Sequence, residues 1–157
     1  MYIPVANQRI RRTPSTWCKA IVYFGEYPLS LYNDTVLDHY QNPRNVGALE
    51  GADAVGIAEN SACGDVLHLY LQIRDGHVTA ASFKTFGCAA AIAAGSMLTE
   101  MVKGSSIEEI CKYTKQDVVD ALGGLPPMKV HCSVLAEDAI KAAIEDLNLR
   151  SRYPMLH

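Results

Sequence analysis

The feature that most constrains the fold is a change of hydrophobic period after residue 88. Before it come three strand-like segments, which are residues 54–60, 66–73 and 78–85. Asp75-Gly76 separates the last two, and Asp-Gly between apolar runs is the strongest short hairpin signal. After the change, residues 89–102 are rich in Ala, Ile, Met and Leu with a helical period. Strands followed by helices predict an α+β fold that contains a small antiparallel meander.

Capping patterns predict where the other helices begin. Ser106 and Glu109 form a capping box, and Thr114 with Asp117 indicates another start. Leu125-Pro126-Pro127 must be extended, because proline restricts both itself and the residue before it. The predicted helices are residues 34–40 with Asn33 or Asp34 as cap, 89–102, a short helix after Ser106, 114–122, and a long amphipathic C-terminal helix from Cys132 to Leu147.

The chain divides into a domain and two terminal segments. We predict an N-terminal extension of unknown role over residues 1–31, one domain over 32–150 and a C-terminal tail over 151–157. The extension is rich in Arg and has no acidic residue before Glu26, which is typical of an organellar transit peptide. It lacks a clear amphipathic helix, however, so we expect a cytoplasmic location rather than the mitochondrial matrix.

Composition excludes several classes of function. Net charge is −3, which gives no electrostatic reason to expect nucleic acid or an anionic membrane as a partner. No apolar run approaches the roughly 18 residues that span a bilayer. The five cysteines are odd in number and widely spaced, which argues against a disulfide scaffold and favours a reducing compartment.

Three cysteines stand at predicted junctions beside unusual neighbours. Cys63 precedes Gly64-Asp65, Cys88 follows Gly87 at the start of a helix, and Cys132 follows His131 at the start of the last helix. A helix N-terminus favours an anion, so the thiol pKa falls there and the metal-binding thiolate is stabilised. If the three thiols converge, they form a soft anionic pocket that selects zinc, copper(I) or an iron–sulfur cluster.

A free cysteine is more often a small buried hydrophobe than a ligand. We interpret Cys111 in that way and expect Cys18, in the extension, to be inert. His131 is a candidate fourth ligand because it adjoins Cys132, whereas His39, His68 and His77 are expected to be surface or satisfied core residues. The residues alone therefore leave open a metal site and a thiol site.

Several motifs occur together and in order. They are Tyr32-Asn33-Asp34, Asn42-Pro43-Arg44-Asn45-Val46-Gly47, Ala62-Cys63-Gly64-Asp65, Lys84-Thr85-Phe86-Gly87-Cys88, and the run from Leu125 to Ser133. Together they resemble the NifU/IscU-like iron–sulfur cluster scaffold family over roughly residues 32–147. The resemblance implies a three-stranded antiparallel sheet packed against helices. It also implies a scaffold rather than an enzyme.

The resemblance further implies a site and partners. Cys63, Cys88 and Cys132 would bind a [2Fe-2S] cluster made with iron, and Asp65 or His131 would complete the ligand set. Cys132 would accept persulfide sulfur from a cysteine desulfurase, and the cluster would pass to apo iron–sulfur proteins. An Hsp70-type chaperone would bind the segment formed by Leu125, Pro126, Pro127, Met128 and Lys129. A frataxin-like protein and a second copy in a homodimer are further expected partners.

The sequence departs from the family pattern at three positions. Ser61 stands where the family usually has Pro, Ala89 where Gly is usual, and Met128 where Val is common. The main alternative is a zinc-binding protein that uses the same Cys, Asp and His residues. A thiol redox protein is disfavoured because the chain has no C-x-x-C.

Overall fold

The computed structural model describes residues 29–154. In chain order the elements are α1 (Asp34–Gln41), β1 (Ala54–Asn60), β2 (Asp65–Arg74), β3 (His77–Phe86), α2 (Ala89–Val102), α3 (Ile107–Ile110), α4 (Lys115–Ala121) and α5 (Val134–Arg152). Two 3₁₀ helices, Leu29–Leu31 and Pro127–Ser133, precede α1 and α5. The predicted α+β class is confirmed, with strands first and most helices after them. None of the helices in these residues is long and apolar enough to cross a membrane.

The three strands form an antiparallel meander in the order β1-β2-β3. Asp75 and Gly76 both have positive φ, at 51° and 75°, as the predicted two-residue hairpin turn requires. Leu67, Leu69 and Leu71 of β2 are fully buried, because alternate side chains of a strand point to the same face. Helices α2 and α5 cover that face and complete the core.

The predicted starts of α1, α3 and α4 are confirmed in detail. Asn33 caps α1 by accepting a hydrogen bond from the backbone N–H of Val36 at 3.0 Å. Ser106 with Glu109 and Thr114 with Asp117 both form reciprocal capping boxes. In each box the carboxylate accepts from the backbone N–H of the cap residue, and this is the main reason that its pKa is lowered.

The last helix differs from its prediction at both ends. Cys132 does not open it, because Pro127–Ser133 forms a 3₁₀ helix and α5 starts only at Val134. Pro126 is extended as predicted, whereas Pro127 is already the first residue of the 3₁₀ helix, a position that tolerates its missing N–H. The C-terminal end lies at Arg152, beyond the predicted Leu147, since no helix-breaking residue intervenes.

The loop after α1 closes the free edge of β3. Asn45 accepts from the backbone N–H of Phe83 at 2.9 Å, and Gly47 donates back to the Phe83 carbonyl at 2.8 Å. Ser96 of α2 holds the same loop from the other side, because its hydroxyl oxygen accepts from the Arg44 backbone N–H at 2.9 Å. The end of β3, which leads directly to Cys88, is thereby fixed in place.

Candidate metal centre

The candidate site lies where β2 begins and β3 ends. Asp65 is the first residue of β2, and Val66 pairs with Phe86 near the end of β3. Cys88 follows two residues later as the N-cap of α2. Antiparallel pairing therefore brings Asp65 and Cys88 together although 23 residues separate them in the chain. The 3₁₀ helix then adds Cys132 from the far end of the sequence.

Two thiols and one carboxylate meet at this point. The sulfurs of Cys88 and Cys132 are 3.3 Å apart, and each lies 3.8 Å from Oδ2 of Asp65. These three ligand atoms all lie within 4.8 Å of one another, and residues 29–154 hold no other such group of three or more His, Cys, Asp or Glu residues. Asp65 and Cys132 are buried, whereas Cys88 is half-buried.

Cys63 stands at the margin of this group. It is exposed on the β1–β2 loop, and its sulfur lies 3.9 Å from the Asn60 carbonyl oxygen. Burial is the largest cause that raises its pKa, and the nearby Asp65 carboxylate and Cys88 raise it further. The Asp65 carboxylate thus affects the pKa of Cys63 as well as those of Cys88 and Cys132, although Cys63 lies outside the tight three-residue group.

Sequence reasoning missed the residue that shapes the Cys63 loop. The side-chain oxygen of Asn60 accepts from the Ala62 N–H at 3.0 Å, and its carbonyl accepts from the Gly64 N–H at 2.8 Å. Gly64 has a φ of 72°, which reverses the chain toward β2. An Asn at the end of a strand before a small-residue run is a turn signal that could have identified this role.

His131 flanks the site from the solvent side. It is exposed, and its Nε2 lies 3.6 Å from the Cys132 sulfur. It is not a member of the tight group, because its ring nitrogens are not within 4.8 Å of all three ligand atoms. Of the two predicted fourth ligands, Asp65 is the one that contacts the sulfurs of both Cys88 and Cys132.

Cys88 is the more acidic thiol of the contacting pair. Its pKa is lowered to about 7, chiefly because the Cys132 thiol donates a hydrogen bond to its sulfur. The backbone N–H of Ala91 and the charge of Lys129 also favour the thiolate, whereas burial and Asp65 oppose it. The Ala91 contact is the helix N-terminal effect that the sequence predicted for this residue.

The pKa of Cys132 is shifted in the opposite direction to that of Cys88. Its pKa is raised, first by its role as hydrogen-bond donor to Cys88, then by burial and by the negative charges of Cys88 and Asp65. The expectation that Cys132 opens a helix with a depressed pKa is therefore wrong, because the residue sits inside the 3₁₀ helix with only 1% exposure.

The other cysteines and histidines of the described residues are not members of the Asp65, Cys88 and Cys132 group. Cys111 is exposed just after α3, so its interpretation as a buried hydrophobe is wrong. Cys18 lies outside the described residues. His39 is buried and its Nδ1 lies 2.8 Å from the Ser96 hydroxyl, as expected for a satisfied core histidine. His68 and His77 lie in β2 and at the hairpin turn.

The donor set determines what the site can hold. Three thiols and one carboxylate are anionic when deprotonated, and the positive charge of Lys129 lowers the pKa values of both Cys88 and Cys132. Sulfur donors select soft metals, so the arrangement suits iron in a sulfur-rich environment, zinc or copper(I) and does not suit calcium or magnesium.

Comparison with known families agrees with this geometry. The profile of the family described as "NifU-like N terminal domain" matches residues 31–153. The chain belongs to this family. The match covers every helix and strand from α1 to α5 and includes the whole candidate site.

Similar NifU-like proteins occur in all three domains of life. "Iron-sulfur cluster assembly scaffold protein IscU 1" of Archaeoglobus fulgidus is 54% identical over 116 residues, which are 74% of this chain and 76% of that protein. "Iron-sulfur cluster assembly scaffold protein IscU" of Escherichia coli is 49% identical over 73% of this chain and 92% of its own length. "Iron sulfur cluster assembly protein 2, mitochondrial" of Saccharomyces cerevisiae is 47% identical over 81% of this chain and 84% of its own length.

Solved structures share the fold of this NifU-like domain. The N-terminal part of a NifU-like protein from Brucella abortus has a TM-score of 0.61 at 24% identity and covers 76% of this chain and 96% of its own. A scaffold protein of the SUF system from Fervidobacterium islandicum has a TM-score of 0.62 at 20% identity, with 73% and 97% covered. At these identities the likeness concerns the fold alone.

Proposed function

We propose that this NifU-like chain is a non-enzymatic scaffold on which a [2Fe-2S] cluster is assembled and from which it passes to apo-proteins. The observation that carries the proposal is the contact of Cys88, Cys132 and Asp65 at one end of the sheet, with Cys63 beside them. The scaffold names of the archaeal and bacterial relatives support it. In this role the cluster is cargo, so the site must hold it and also release it.

The ligand set suits a cargo that must leave. Cys63, Cys88 and Cys132 supply thiolates, and Asp65 supplies one oxygen. Thiolates are the usual cluster ligands, and replacing one of four by a weaker donor leaves one iron less firmly held. We propose that His131 exchanges with Asp65 when the cluster is transferred, and the 3.6 Å distance between its Nε2 and the Cys132 sulfur supports this.

Sulfur acceptance assigns separate roles to the two contacting thiols. When the proton between the two contacting sulfurs lies on Cys88, Cys132 is the thiolate and acts as the nucleophile. The Cys132 thiolate then attacks the outer sulfur of a cysteine desulfurase persulfide, the donor S–S bond breaks, and the desulfurase cysteine leaves as a thiolate. Reduction of each transferred sulfur to sulfide takes two electrons, which ferrous iron and an external electron donor supply.

Access to Cys132 requires movement of the Pro127–Ser133 segment, since the thiol is 1% exposed. Met128 on this segment is 60% exposed, and Pro127 is exposed beside it. We therefore propose that an Hsp70-type chaperone binds the segment from Leu125 to Lys129 and that this binding moves the segment and exposes Cys132. A frataxin-like protein, a homodimeric state and a cytoplasmic location complete the proposal.

Anaerobic reconstitution tests the function directly. The protein is incubated with ferrous iron and sulfide, and visible absorption and Mössbauer spectra are recorded. We expect a [2Fe-2S] spectrum that is lost in Cys63→Ala, Cys88→Ala and Cys132→Ala and kept in the control Cys111→Ala, whose thiol is exposed after α3. A colourless wild-type protein, or a spectrum that survives all three site variants, would reject the proposal.

The second candidate is a zinc-binding protein that uses the same site. Two sulfurs and one carboxylate oxygen already meet, and Cys63 or His131 can supply the fourth donor of a tetrahedral zinc site. The two functions are separated by metal analysis of protein purified anaerobically from cells grown with ample iron. Stoichiometric zinc that iron and sulfide fail to displace would favour this second candidate.

A further inference from the structure

We propose that Gly87 is a positioning residue for the site, because its missing side chain leaves the space in which the Asp65 carboxylate lies against Cys88 and Cys132. The proposal deepens the function above and rests on it. It concerns how the oxygen ligand is held rather than which residues are ligands.

The space at Gly87 is already filled by its neighbours. A Cβ built on Gly87 would lie 2.9 Å from both Cγ and Oδ1 of Asp65 and 3.0 Å from the Cβ of Ala91. Real Cβ atoms essentially never come within 3.0 Å of a neighbour, so an added methyl group would force Asp65 to move. The φ of Gly87 lies outside the left-handed region, so the requirement for glycine comes from space and not from backbone conformation.

The Asp65 side chain has little freedom to yield without leaving the site. It is 5% exposed, and its Oδ2 is held 3.8 Å from each of the two sulfurs while Oδ1 faces Gly87. A methyl group on the Oδ1 side would therefore push the carboxylate across the sulfurs or rotate it out toward solvent. Either movement changes the distance from Oδ2 to both thiols, which is the distance that allows a shared metal.

Cobalt(II) is a suitable probe, because its visible spectrum reports the number and kind of its ligands. Wild type, Gly87→Ala, Asp65→Ala and the double variant are titrated with cobalt(II) under reducing conditions. We expect Gly87→Ala to bind cobalt(II) about tenfold more weakly than wild type. This is the lower end of the loss in metal affinity that is usual when a residue supporting a metal ligand is changed. The ligand-field spectrum of Gly87→Ala should match that of Asp65→Ala.

The double variant supplies the decisive comparison. Truncation of Asp65 removes the two carboxyl atoms that lie 2.9 Å from the built Cβ and leaves the Ala91 Cβ at 3.0 Å, which is not part of the metal site, so the second substitution should change cobalt(II) affinity by less than about twofold. Additive losses in the double variant, or a wild-type spectrum and affinity in Gly87→Ala, would overturn the proposal. If Gly87→Ala alone fails to fold, the proposal requires that Asp65→Ala restore its folding, and a failure of that rescue rejects it.

Gly95→Ala is the matched control for general crowding. A Cβ at Gly95 would lie 2.6 Å from the Phe83 ring, inside the core and away from the thiols. This variant should lower the melting temperature and leave the cobalt(II) spectrum of the folded protein unchanged. A wild-type protein that does not bind cobalt(II) through its cysteines would instead reject the proposed function, which keeps the two failures distinct.

Discussion

The buried polar groups around Ser96 and those around Asp65 differ in how well other groups of the chain satisfy their hydrogen-bonding capacity. Around Ser96, the hydroxyl oxygen accepts from the Arg44 N–H at 2.9 Å and contacts His39 Nδ1 at 2.8 Å. Around Asp65, the contacts with Cys88 and Cys132 are 3.8 Å long. The polar groups around Ser96 satisfy one another with hydrogen bonds of ordinary length. The groups around Asp65 are good metal ligands, and their 3.8 Å separations are too long for strong hydrogen bonds but allow them to bind one metal ion together.

This difference separates a structural cluster from a binding site. Polar groups that find short partners within the chain stabilise the fold and gain little from a ligand. A carboxylate such as Asp65, whose contacts with both sulfurs are 3.8 Å long, gains much more from a metal ligand. We therefore expect metal binding to stabilise the protein through the Asp65 cluster, and deletion of a hydrogen bond to destabilise it through the Ser96 cluster.

The largest expected effect is stabilisation by metal at the thiol cluster. Zinc at about 1,000 times its dissociation constant should stabilise the folded state by about 4 kcal/mol, because it binds the folded site in preference to the unfolded chain. Thermal unfolding with and without zinc measures this. The stabilisation by zinc should vanish in Cys88→Ala and persist in Ser96→Ala. If zinc stabilises Cys88→Ala as much as wild type, the Asp65 cluster is not the metal site.

Deletion of the serine hydroxyl should give the next largest effect. Ser96→Ala leaves the Arg44 N–H and buried His39 without their partner, which costs about 2–3 kcal/mol by the usual penalty for unsatisfied buried groups. Denaturant unfolding measures the loss. Zinc affinity should stay at the wild-type value, and a parallel loss of zinc binding would show that the two clusters are coupled through α2.

Acid should weaken the serine cluster through His39. Burial is the main cause that lowers the pKa of His39 below 6.5, and Arg44 lowers it further while Asp38 and Glu100 oppose. As pH falls, the unfolded chain therefore binds this proton first, so the stabilisation is complete above about pH 6.5 and declines below it. Stability measured between about pH 5 and 7 should fall less steeply in His39→Gln. An unchanged slope in that variant would assign the acid sensitivity to other groups.

The smallest effect is expected at the exposed cysteine. Cys111→Ser keeps the size of a side chain that is exposed at the end of α3. Surface substitutions of this kind change stability by no more than about 0.5 kcal/mol. Unfolding and zinc titration should both reproduce the wild-type values. A measurable loss of zinc binding would place Cys111 among the ligands and contradict the assignment of the site.

Local patterns determined the order and type of the elements. The Asp75-Gly76 turn, the capping boxes at Ser106 and Thr114 and the helical period after Cys88 each depend on residues close in the chain, so the sequence predicted them correctly. The same holds for Cys88 at a helix N-terminus. The end of α5 was misjudged although a local signal marks it, because Pro154, two residues after Arg152, forces Tyr153 out of the helical conformation and nothing before Arg152 breaks the helix.

Tertiary structure alone decided how the thiols behave. The sequence singled out Cys63, Cys88, Cys132, Asp65 and His131, but their motifs did not reveal that Asp65 contacts both sulfurs or that the pKa values of Cys88 and Cys132 shift in opposite directions. Those outcomes depend on a 3₁₀ helix that buries Cys132 against Cys88 and on the pairing of Val66 with Phe86. Distances and burial between residues far apart in the chain set the electrostatics of a site, and no local pattern encodes them.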